Sequence, residues 1–132
     1  MNFWEHVLLS EVDSTTGYTV HVAKMTLGHN CGYVEIPEGH CCYKASYFDS
    51  PLKDLTVHGE VTFSEFVPAK ETGKPAVWIV GFDCGHYGDF VPNLKWGNPD
   101  KYRDMWWVLD ESKKLAKQLH ILDKRAKLRK MP

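Results

Sequence analysis

The stretch that most constrains the fold is residues 76–82, AVWIVGF, which carries no charged side chain. A run this short makes a poor isolated helix, and its β-branched and aromatic residues suit a strand. It does not alternate, so it reads as a central strand covered on both faces. Such a strand needs partners, and the chain supplies candidates. Residues 18–27 are rich in Tyr, Thr and Val, and residues 31–36 form a shorter run stopped by Pro37 and Gly39. Residues 55–64 alternate. Leu55, Val57, Val61 and Phe63 fall with Gly59 on one face, and Thr56, His58, Glu60, Thr62 and Ser64 on the other. That period predicts a half-buried strand. Residues 37–54 have no clean period and read as a long loop, and residues 68–75 read as a turn.

The C-terminal end has a different period. Asn98 suits a helix cap and Pro99 a first helical position. Tyr102, Met105, Trp106, Leu109, Leu115, Ala116, Leu119 and Leu122 then follow helical spacing. The expected architecture is α+β: a small antiparallel sheet with one long C-terminal helix packed on it. It forms a single domain over residues 1–122, followed by a basic tail, 123–132. With 132 residues, 43% of them hydrophobic and 25% charged, the chain can bury one real core and is not a disordered one.

The net charge of −1 hides an asymmetry. Residues 1–112 carry eight Lys/Arg and sixteen Asp/Glu, a net of −8, whereas residues 113–132 carry eight Lys/Arg and only Asp123, a net of +7. An acidic body argues against a nucleic-acid binder, except through the tail. It leaves room for a homo-oligomer in which the tail meets the acidic face of a second copy. No apolar run approaches membrane-spanning length, and the first residues lack a secretory pattern. Cys31, Cys41, Cys42 and Cys84 form no framework and read as reduced thiols of a cytoplasmic protein.

Chemistry concentrates at the polar face of residues 55–64 and the loop that follows Phe82. Together they offer His58, Glu60, Thr62, Asp83, His86 and Asp89, with Gly85 and Gly88 allowing close backbone approach. Imidazole and carboxylate suit three roles. They ligate a divalent metal, with His58, Asp83 and His86 as the expected set; they perform acid–base chemistry; or they hydrogen-bond a polar ligand. The bland alternative is that Asp83 caps the turn, His86 lies in a satisfied network and His58 faces solvent. Tyr87 and Trp96 lie in nearby loops and offer stacking faces, while Trp78 and Trp106 read as core. A second group, His29 and Cys31 with His40, Cys41 and Cys42, has zinc-type residues at the wrong spacing and reads as buried or incidental thiols. A Cys41 or Cys84 nucleophile has no partner fixed by spacing.

Three segments carry a resemblance: residues 32–40 (GYVEIPEGH), 57–62 (VHGEVT) and 81–89 (GFDCGHYGD). In that order they resemble a family of small phage and prophage proteins. That family has a G-Y-V-x-[VI]-P-x-G-H segment, an H-G-G-[LI]-T-Y-S-like strand and a G-F-D-x-x-H-x-G-D loop. The likeness spans roughly residues 30–120 and singles out Pro37, Gly39, His40, His58, Gly59, Thr62, Asp83, His86, Gly88 and Asp89. Glu60 stands where the family usually has Gly, and Phe63 where it has Tyr. The resemblance implies a phage or prophage accessory protein in the host cytoplasm, of a kind that often acts on host defence.

The leading expectation is a protein that binds a small polar, nucleotide-derived ligand and sequesters a host-defence signal. Its site would use His58, Thr62, Asp83, His86, Asp89, Tyr87, Trp96 and His40. One alternative is a metal-dependent hydrolase with His58, Asp83, His86 and Asp89 as ligands, the divalent metal being its cofactor. Another is an acidic protein–protein inhibitor.

Overall fold

A computed structural model describes residues 2–131. Its elements are a four-residue α1 (Phe3–His6), β1 (Val7–Val12), β2 (Thr19–Lys24), β3 (Asn30–Ile36), β4 (Phe63–Val67), β5 (Val77–Asp83) and α2 (Met105–Arg129). The five strands form one sheet in the order β1-β2-β3-β5-β4, and every neighbouring pair is antiparallel. The α+β architecture expected from the sequence is the one observed, with the central run at β5. No helix among the described residues is long and apolar enough to cross a membrane.

β5 lacks polar alternation because both its faces are covered. Val80 and Phe82 join Val20, Val22, Val34 and Ile36 beneath α2, where Val108, Leu109, Leu115, Ala116 and Leu119 close the main core. Ile79 points the other way, into a smaller cluster with Ala23, Cys31, Tyr33 and Val67 that Phe3 and Trp4 of α1 help to cover. Gly32 is small for a packing reason: a Cβ there would collide with Ser112 and Phe82.

Residues 55–62 are not a strand. Gly59 and Glu60 have φ of 65° and 68°, and the Glu60 N–H donates to the Val57 carbonyl at 2.9 Å. Two successive left-handed residues turn the chain, so extended structure starts only at Phe63. The alternating Val57 and Val61 are buried all the same, through a turn that tucks both under α2. The long loop 37–54 also packs inward, with His40, Cys42 and Leu52 buried.

The C-terminal helix starts later than the Asn98-Pro99 signal suggests. Asn98 Oδ1 accepts from the Asp100 N–H at 2.9 Å, but it caps only a 3-10 turn, Pro99–Lys101. Tyr102 then returns to extended backbone. The cap of α2 is Asp104, whose Oδ1 accepts from the Trp107 N–H at 2.9 Å. This start turns Trp106 outward, 61% exposed, instead of into the core, and Trp107 packs inward. α2 then continues without a break through Asp123 to Arg129, so the basic stretch forms its end. A 25-residue helix is about 37 Å long. The tail of a given chain therefore points away from the site at the start of its own helix.

Candidate functional site

Asp89 is the centre of the site. Its carboxylate is 2% exposed and lies in the loop after β5. The loop closes on itself: the Asp89 N–H donates to the His86 carbonyl at 2.9 Å, and Asp89 Oδ2 accepts from the His86 N–H at 3.1 Å. From across the fold, His58 Nε2 donates to both oxygens at 2.9 and 3.0 Å. Arg103 Nε approaches Oδ1 at 3.5 Å from the segment before α2. A buried carboxylate needs such partners, because an unpaired charge away from water is strongly disfavoured.

His58 is held from behind by α2. Its backbone N–H donates to Glu111 Oε2 at 3.0 Å, and Gln118 brackets Thr56 with bonds of 2.8 Å to both its N–H and its carbonyl. Glu111 and Gln118 stand seven apart and so share one helix face. The His58 ring meets Trp107 edge to face at 5.2 Å, and the Arg103 guanidinium lies over that Trp at 4.6 Å. The His86 ring rests on Gly59, where any Cβ would overlap it. Its Nδ1 lies 3.4 Å from Asp83 Oδ1 and 3.7 Å from Asp89 Oδ2. That nitrogen is buried and makes no hydrogen bond. Asp83, at the end of β5, accepts from Thr62 Oγ1 at 3.2 Å and from the Gly85 N–H at 3.0 Å.

The structure thus brings His58, Thr62, Asp83, His86 and Asp89 into one contiguous network. It also divides them. His86, Tyr87, Asp89 and Trp96 face a cleft of about 660 Å³, with Lys95 and Asn98 on its rim. Tyr87 and Trp96 are fully and 63% exposed there. Trp96 is fixed by paired backbone bonds to Val91, of 3.0 and 3.3 Å. Thr62 and Asp83 line a separate cavity of about 290 Å³ with His29. Burial pushes the His29 imidazole below its ordinary value, against the pull of Asp83 and Asp89.

His40 does not belong to the site. It is buried beside the middle of α2, where Nε2 donates to the Leu119 carbonyl and Nδ1 accepts from the Cys42 N–H, both at 2.9 Å. Both nitrogens are spent, so the histidine that shares a motif with Pro37 and Gly39 serves packing. Twelve residues of helix, about 18 Å, separate Leu119 from Trp107. The metal-type donors also regroup. One donor atom each from His58, His86 and Asp89 lies within 4.8 Å of the other two, and Asp83 stands beside this set. All four cysteines are free. Burial pushes the Cys31 and Cys42 thiols up to about 12 and Cys84 up as well, which leaves none of the three ready to act as a thiolate nucleophile.

The sequence reading missed Arg103, Trp107, Glu111 and Gln118. Only the seven-residue spacing of Glu111 and Gln118 was visible in advance, and nothing in it pointed to residues 56–58.

Comparison with protein-family models, curated proteins and solved structures finds no match. Functional assignment therefore rests on the residues themselves.

Proposed function

We propose that the chain is a binding protein for a small polar ligand of nucleoside type, seated in the cleft between Tyr87 and Trp96. The observation that carries this reading is the pairing of two exposed aromatic faces with His86 in the lining of the same cleft, on a loop anchored by the buried Asp89. A flat base stacks on aromatic faces without needing net positive charge, which suits an acidic body. Ribose-type hydroxyls are matched by polar side chains of the lining, here His86 and Asn98. Lys95 on the rim supplies a cation for a phosphate. Small ligand sites usually combine an apolar wall with a few placed polar groups, and this cleft has that make-up. On the resemblance to small phage proteins, the role we assign to such binding is sequestration of a nucleotide-derived signal.

The test is calorimetric titration with a panel of nucleosides, nucleotides and cyclic or conjugated nucleotide derivatives. The expected result is saturable binding of at least one class. Trp96→Ala should weaken it about 5- to 150-fold, as loss of one stacking face does. No heat from any member, or unchanged affinity in both Trp96→Ala and Tyr87→Ala, would overturn the reading.

A further inference from the structure

The geometry points to a divalent transition-metal site formed by His58, His86 and Asp89. One donor atom from each lies within 4.8 Å of the other two; His58 comes from the turn before β4, and His86 and Asp89 come from the loop after β5. His58 is positioned by Glu111 and Trp107, and Asp89 by the bonds of its own loop. His86 is positioned by Gly59, whose φ of 65° and missing Cβ leave room for the ring.

The second observation is His86 Nδ1. It is buried and without a hydrogen bond, although two carboxylates stand 3.4 and 3.7 Å away. Buried polar atoms are nearly always satisfied, and a cation held between this ring nitrogen and the two carboxylates would satisfy it. Arg103 occupies the Oδ1 side of Asp89 and leaves Oδ2 facing His86. Two imidazole nitrogens and one carboxylate oxygen are the donors that zinc, cobalt, manganese and ferrous iron accept, and three protein ligands leave a position open. His86 and Asp89 are also among the residues that line the cleft, so the donor set stands beside it. The inference goes beyond the nucleoside reading and does not require it.

The experiment is titration of chelator-treated full-length protein with Co²⁺ and Zn²⁺ and no organic ligand present. Success or failure here is therefore separate from that of the cleft reading. About one Co²⁺ per chain is expected, with a visible ligand-field spectrum and about 100-fold weaker binding in His86→Ala. Cys41→Ser is expected to bind as the parent does, because Cys41 belongs to the other donor group near His40. In the unaltered protein, Zn²⁺ should shift the ring signals of both His58 and His86 in imidazole NMR spectra, a readout that needs no variant to fold. The site is overturned by absence of saturable uptake up to millimolar metal. It is equally overturned by undiminished affinity in His86→Ala, by loss in Cys41→Ser, or by ring signals of His58 and His86 that do not move.

Discussion

The His86 imidazole fills the space that a side chain on Gly59 would occupy. A residue in the turn before β4 thereby decides where a residue in the loop after β5 can stand. Gly59→Ala sets a Cβ against that ring and forces it at a φ of 65°, where an L residue costs about 1–2 kcal/mol. The expected outcome is a stability loss of that size in urea unfolding, together with displaced His86 ring signals in NMR. A variant whose His86 signals are unmoved would show that the ring does not depend on Gly59.

The same turn shows where sequence reading ended. The run at 76–82 was legible because both faces of β5 are covered, a fact its composition records directly. Residues 55–64 misled because burial of Val57 and Val61 produces alternation whether the chain between them is extended or turned. Nothing local marks Glu60 as left-handed, since its side chain is neither Gly nor Asn. For the site, the loop 83–89 and His58 were visible as chemistry, but their meeting depends on the sheet order and on α2. That is why Arg103 and Trp107 were missed and His40 was wrongly included.

Asp89 holds the loop and the imidazole together, so its removal should act on stability as well as on binding. Asp89→Ala leaves His58 Nε2 and the His86 N–H without their acceptor and Arg103 without its counter-charge. Breaking a fully dry ion pair costs about 3–5 kcal/mol. His58 and Arg103 still reach water, with side chains 23% and 29% exposed, so the expected loss is nearer 2 kcal/mol. Chemical unfolding of the two proteins at pH 7 measures it, and a difference within experimental error would remove Asp89 from the centre of the network.

The chain should lose stability in mild acid. Burial holds the imidazole of His40 below its ordinary 6.5, outweighing the Leu119 carbonyl that favours the charged form, and burial lowers His29 likewise. A histidine depressed in the folded state binds fewer protons there than when unfolded, so stability rises with pH across the gap. Its contribution is complete above 6.5 and is lost as pH falls from there toward the native value. Asp123 acts elsewhere. Burial raises it, but the Lys127 ammonium and the Cys41 N–H prevail and hold it below 3.8, so its contribution fades only in stronger acid. Urea midpoints between pH 7 and 5 should fall, and His40→Gln should flatten part of that slope. A midpoint constant over the interval would mean that neither histidine is held neutral by the fold.

The end of α2 should be dispensable for folding yet responsible for any affinity for polyanions. The buried residues of the helix end at Asp123, whereas Leu128 and Met131 are 65% and 68% exposed. Deleting residues 124–132 removes five Lys/Arg and takes the net charge from −1 to −6. Within the fold it breaks one pair between an exposed ammonium and a buried carboxylate, Lys127 Nζ to Asp123 Oδ2 at 2.7 Å, an i,i+4 contact worth about 0.3–0.5 kcal/mol. Asp123 keeps its bond from the Cys41 N–H at 2.9 Å, which ties the shortened helix to the loop over the core. The expected result is a stability change below about 1 kcal/mol, with circular dichroism losing about two turns of helix. Salt-sensitive retention on heparin, where the full chain shows it, should disappear, because the remaining chain carries a net charge of −6. A deletion that costs as much as a core substitution would instead mean that these turns are packed against something in solution. Analytical ultracentrifugation of the full chain would then test whether that partner is the acidic body of a second copy.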